Sequence, residues 1–112
     1  MAPKESSTNT TKAQMRKGIL EFCILLIISR DRTYASEILL ELKKADLLVV
    51  EGTLYPLLSR LRAAGLLDHS WEESKSGPPR KYYTLTNAGK QALAELTETW
   101  STLVASITTL IK

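Results

Sequence analysis

The residues best suited to chemistry lie in two short stretches, and their common chemistry is polyanion binding. In GTLYPLLSRLR, from Gly52 to Arg62, an α-helical wheel at about 100° per residue gathers Leu54, Leu57, Leu58 and Leu61 on one side. Gly52, Pro56, Ser59 and Ala63 point the opposite way. Thr53 and Arg60 flank that small-residue face on one rim, and Tyr55 and Arg62 on the other. Small residues let a helix backbone approach a groove floor, while hydroxyl and guanidinium groups at the rims reach base edges and phosphate oxygens. Further along, Lys75, Arg80 and Lys81 cluster with no acid between them, around the Gly77-Pro78-Pro79 bend expected to shape a tip over residues 74–80. Taken singly, the helix face reads equally as ordinary surface and the tip as a solvated loop. A groove-sized helix followed at short range by a cationic hairpin is the layout of a winged helix-turn-helix.

Other chemistries find little support. His69 is the only histidine and Cys23 the only cysteine, which leaves no zinc-ligand set and no disulfide framework. No phosphate-binding glycine loop and no nucleophile paired with a base occurs, so neither an enzyme nor a cofactor is expected. Cys23 lies within GILEFCILLII, where a buried, inert thiol in a reducing compartment fits. That apolar run follows a basic leader but contains Glu21, leads into Arg30-Asp31-Arg32, and falls short of the roughly 20 residues a membrane span needs. It reads instead as a helix covered on two sides.

The elements that must position these groups fit one small domain. A chain of 112 residues buries only about 60–65% of its unfolded surface and gains from a partner. The net charge of +3 is uneven: Lys4, Lys12, Arg16 and Lys17 against Glu5 give the first 17 residues +3. Polar residues 1–11 are expected as a mobile tail, with helix one from about Lys12 to Ser29. Helix two follows Tyr34, with Ala35, Ile38, Leu39 and Leu42 at helical spacing. Asp46 to Val50 is expected to be extended, with Leu47–Val50 either a short third strand or a plug in the core. Helix three covers about Gly52 to Ala64, with Pro56 in about its first turn and Gly65 as the C′ residue. Leu67 to Glu73 alternates, placing Leu67, His69 and Trp71 on one face, with Trp71 read as wing core. Lys81 to Thr86 is the return strand, and Thr86 or Asn87 caps a last helix. The fold class is thus mainly α with a small β-hairpin: a tail (1–11), a winged helix-turn-helix domain (12–86) and a C-terminal dimerisation helix (87–112).

That last helix carries Leu93, Leu96, Trp100, Leu103, Ile107 and Leu110, spaced 3-4-3-4-3 as in a heptad seam. Homodimer packing is the favoured reading; packing on its own domain is the alternative. Trp100 is bulky for a two-helix seam, and either packs there or lines a space between subunits. A dimer with two such recognition helices calls for an inverted-repeat duplex operator.

The run Gly52-Thr53-Leu54-Tyr55-Pro56-Leu57-Leu58, with Arg60-Leu61 and Gly65-Leu66, resembles the recognition-helix signature of the PadR family of bacterial transcriptional regulators. Arg80-Lys81-Tyr82-Tyr83, Leu85-Thr86 and Ala88-Gly89 are similar to that family's wing and the start of its last helix. The resemblance spans roughly residues 15–100. It departs at Tyr34-Ala35-Ser36-Glu37, where the family usually shows Tyr-Gly-Tyr-Glu, leaving Tyr34 and Ser36 as the candidate phosphate contacts. The resemblance implies a cytoplasmic, homodimeric repressor without membrane attachment, whose Trp100 stacks on a small aromatic or drug-like effector. The rival reading is a winged-helix module that binds a protein through the same faces; it would lack salt-sensitive duplex binding.

Overall fold

The computed structural model describes the backbone from Ala2 to Lys112 and the side chains from Thr10 onward. Four helices and three strands follow in the order α1 (Ala2–Arg30), β1 (Thr33–Tyr34), α2 (Ala35–Lys44), α3 (Glu51–Ala63), β2 (Leu67–Ser74), β3 (Gly77–Leu85) and α4 (Asn87–Ile111). The fold is mainly helical, as the sequence predicts. α1 starts at Ala2 rather than near Lys12; Pro3 is tolerated in a first turn, where its missing N–H has no intrahelical use. The expected tail of residues 1–11 otherwise lies mostly outside the described side chains.

One core holds the helices and sheet together. Ile24 and Leu25 of α1, Ile38 and Leu42 of α2, Leu54 and Leu58 of α3, and Leu67 of β2 are all but inaccessible, and Tyr83 closes the sheet side. Leu47 and Val49 pack against this core while Leu48 and Val50 face outward, so the α2–α3 connection is a plug without a strand. The third strand is Thr33–Tyr34 instead, antiparallel to β3 with Thr33 opposite Tyr83 and Tyr34 opposite Tyr82. β-Branched and aromatic residues between two helices favour that short extended pairing.

α3 is positioned by its ends. Gly65 takes φ +80; Leu66 N–H reaches the Leu61 carbonyl at 3.0 Å and Gly65 N–H the Arg62 carbonyl at 2.9 Å. These are the two bonds of a Schellman stop, which favours glycine. Because α3 starts at Glu51, Pro56 falls in its second turn rather than its first. It cannot donate to the Gly52 carbonyl.

The hairpin is tighter than its composition predicts. β2 and β3 meet at Lys75–Ser76, and Gly77, Pro78 and Pro79 belong to β3 rather than to the bend. The ladder is irregular between Glu72 and Ser74, where the prolines offer no N–H. α4 begins where the wing returns to the body: Thr86 Oγ1 accepts from Gly89 N–H at 2.9 Å and donates to the Gly65 carbonyl at 2.6 Å. Gly89 sits directly on the Leu66 carbonyl, where no side chain fits.

Candidate nucleic-acid interface

The four leucines of α3 are buried, and Gly52, Thr53, Tyr55, Pro56, Ser59, Arg60, Arg62 and Ala63 are all exposed. The wheel therefore holds, and the helix presents a narrow face of small residues with polar rims. Arg60 departs from its expected freedom. Glu21 of α1 takes its Nε–H at 3.0 Å and also binds Nη2, forming a two-point ion pair. Glu21 is mostly covered while Arg60 stays largely exposed, so Arg60 first serves as a clasp between α1 and α3.

On the opposite rim the wing and β1 build an aromatic–cation surface. The β1–β3 pairing brings the Tyr34 and Tyr82 rings edge to face at 5.2 Å. The Arg80 guanidinium lies over Tyr34 at 4.4 Å, Arg32 over Tyr82 at 4.7 Å, and Lys81 Nζ over Trp71 at 5.2 Å. Stacking on an aromatic face orients a cation while leaving its N–H groups for an anion. Arg32 also pairs with Glu72. A recess of about 270 Å³ joins Tyr34, Ser36, Tyr55, Trp71 and Arg80, so these candidates share one surface. Lys75 stands apart, in the hairpin turn. Trp71 is 64% exposed and is no core residue. It lies on the face of Leu67, at the recess it shares with Ser36 and Tyr55, with Lys81 Nζ over its ring. Arg32 escaped the sequence reading because its role depends on β1, whose two residues give no periodicity.

Towards the end of α3, Ser59, Arg62 and Ala63 share a second recess, of about 480 Å³, with Lys81 and Tyr83. His69 stands opposite Tyr83 in the hairpin, with ring centroids 6.2 Å apart and a buried Nδ1 that finds no hydrogen-bond partner. Burial foremost, then Arg62 and Lys81, push its pKa below the ordinary value, with Asp68 pulling the other way. Burial likewise raises the Tyr83 hydroxyl and the Cys23 thiol. Cys23 is half-buried, which favours the inert thiol form.

Along α4 only the first part of the seam is covered. Leu93 packs against the core, whereas exposure runs from 37% at Leu96 to 84% at Leu110, through Trp100, Leu103 and Ile107. Trp100 leans on Phe22 of α1, with ring centroids 6.3 Å apart. Every residue from Ala94 onward is exposed, leaving an apolar face that α1 covers only in part, at Phe22. Among the described residues no acidic, His or Cys group could hold a metal, and no helix is long and apolar enough to cross a membrane.

Comparison with known proteins agrees with this arrangement. Residues 24–95 match the transcriptional regulator PadR-like family. A PadR-like transcription factor structure from Bacteroides fragilis is 50% identical, covers 90% of this chain and 98% of its own, and superposes with a TM-score of 0.78. A PadR-like regulator from Bacillus cereus is 38% identical over 88% of this chain and 97% of its own, at 0.80. An uncharacterised protein from Lysinibacillus sphaericus is 32% identical over 80% of this chain and 85% of its own length.

Proposed function

Because the chain belongs to the PadR-like family of transcriptional regulators, which bind DNA and are not enzymes, we propose that it is a homodimeric repressor holding an inverted-repeat operator and releasing it when a flat aromatic compound binds between the subunits. The observation that carries this reading is the open, small-residue face of α3 beside the stacked cations of the wing. α3 enters the major groove, where Thr53, Tyr55 and Ser59 reach base edges and Arg62 a base or phosphate. Tyr34 and Ser36 at the start of α2, with Lys75, Arg80 and Lys81 on the wing, contact the flanking backbone. Arg60 joins them only by leaving Glu21.

The exposed apolar face of α4 supports dimerisation. Pairing it with a second copy covers Leu96, Trp100, Leu103, Ile107 and Leu110 and sets the two α3 helices about one DNA turn apart, roughly 34 Å. The two Trp100 rings then lie near the dimer axis, where a planar apolar molecule can stack. Such a ligand relieves repression only if it prefers a different spacing of the recognition helices. The reducing bacterial cytoplasm suits the lone Cys23 thiol.

Mobility shift with genomic fragments tests the DNA reading: a preferred inverted repeat with affinity falling steeply in salt is expected. No preferred fragment even at low salt would overturn it and favour a protein-binding module. In a Trp71→Phe background, planar aromatic compounds should quench Trp100 fluorescence and release DNA. Quenching that survives Trp100→Ala moves the effector site elsewhere.

A further inference from the structure

We infer that the Lys12–Lys17 stretch of α1 is a second phosphate grip, holding the DNA strand on the flank of α3 opposite the wing. This rests on the reading that α3 enters the major groove. The core-facing stripe of α1 does not stop at Leu20, its first buried residue; it continues back as Lys17, Arg16 and Ala13, past the edge of the core. There it overhangs the start of α3. Arg16 and Lys17 share a groove of about 560 Å³ with Leu48, Gly52, Thr53 and Pro56. Gly52 and Pro56 belong to the face that α3 turns to the duplex, so these two cations stand at its border. The segment Lys12 to Lys17 contains three cations and no acid.

The geometry holds Arg16 in place without neutralising it. Its Nη2 donates to the Leu48 carbonyl at 3.0 Å, which uses one of five N–H groups and none of the charge. The other cation on this flank, Arg60, is neutralised by Glu21. Free positive charge on the Thr53 side of α3 therefore comes from α1, while the Tyr55 side has Arg80 and Lys81. A major groove about 12 Å wide is bordered by two phosphate strands. Arg16 and Lys17, across their shared groove from Gly52 and Thr53, stand on the side of α3 where the second strand passes. Exposed Leu48 and Val50 fit beside it, against deoxyribose.

The test compares wild type with Lys12→Ala/Arg16→Ala/Lys17→Ala on the selected operator and on random duplex over a range of salt. Because phosphates carry no sequence, affinity should fall by a similar factor on both, about tenfold or more. The salt slope should shrink by roughly 2–3, at about 0.9 per phosphate released. Lys12→Gln/Lys17→Gln keeps the Arg16–Leu48 contact and guards against a folding defect; it should lower the slope by roughly 2. Lys43→Ala/Lys44→Ala, at the far end of α2, should change neither quantity. Unchanged slopes in both α1 variants overturn the second grip alone. A wild type that binds no duplex overturns the reading of α3 as well.

Discussion

Replacing Gly89 with alanine tests how α4 is joined to the DNA-binding body. A Cβ at this position meets the Leu66 carbonyl oxygen at 2.1 Å and its carbon at 3.0 Å. Ordinary C···O contacts begin near 3.3 Å, so the overlap is about 1.2 Å. The clashing group is backbone in the Schellman turn, and it already accepts from Thr86 N–H at 3.1 Å. It cannot swing aside as a side chain would. The first turn of α4 must lift, stretching the Thr86 cap on Gly89 N–H and its tie to Gly65. Overpacking costs about 1–3 kcal/mol and a broken cap about 0.5–2, against about 1 regained from alanine's helix propensity. The net is roughly 2 kcal/mol, or about 10 °C in Tm for a chain of this size. Gly18, inside α1 with nothing within 4 Å of a Cβ, is the matched control: Gly18→Ala should raise stability by about 0.5–1 kcal/mol. Calorimetry at equal protein concentration compares them, since self-association shifts apparent Tm. If Gly89→Ala melts within about 2 °C of wild type, or Gly18→Ala falls as far, the close approach of α4 to the turn is not what that glycine serves.

Glu21→Gln should free Arg60 and raise affinity for random as well as specific duplex several-fold, with a salt slope steeper by about one phosphate; unchanged binding means Arg60 does not reach DNA. Arg80→Ala should weaken binding equally on both duplexes, whereas Ser59→Ala or Tyr55→Phe should lower discrimination by about 1–3 kcal/mol for each base-edge hydrogen bond removed. A wing variant that alters sequence preference would reverse these roles. His69, with its pKa lowered by burial and by Arg62 and Lys81, favours the neutral form when folded. Stability should therefore hold above the ordinary imidazole range and fall as pH drops through it towards the folded value. Urea midpoints in His69→Gln should lose that acid-side slope; an identical slope assigns it to other groups.

The helices are legible in the sequence because their apolar spacing is regular: Ala35, Ile38 and Leu42, or Leu54, Leu57, Leu58 and Leu61, can face a core in only one way. Gly65 and Thr86 announce their ends through local backbone chemistry. Two-residue β1 has no period to read, and the apolar content of Leu47–Val50 fits a third strand or a core plug equally; the plug is what forms. Pro78 and Pro79 read as a bend, yet a strand beyond the reach of β1 tolerates missing donors. The polar start of α1 conceals a helix for want of an apolar stripe. At the site, residue types on α3 and the wing can be read from sequence, but their partners cannot. The Glu21–Arg60 pair joins positions 39 residues apart, and Trp71 is exposed although it alternates with buried Leu67 on one face.

Glu21 and Phe22 are adjacent in sequence yet engage different helices, Arg60 of α3 and Trp100 of α4. Successive helical residues diverge by about 100°, so α1 works as an axle with two cranks set nearly at right angles. A turn of about 10° around its axis carries a side-chain tip about 7 Å out through roughly 1.2 Å, given a Cα radius near 2.3 Å. That travel takes an N–O pair from contact to separation. A displacement of Trp100 would thus meet the Glu21–Arg60 pair one residue along α1, with no long relay of packed side chains in between.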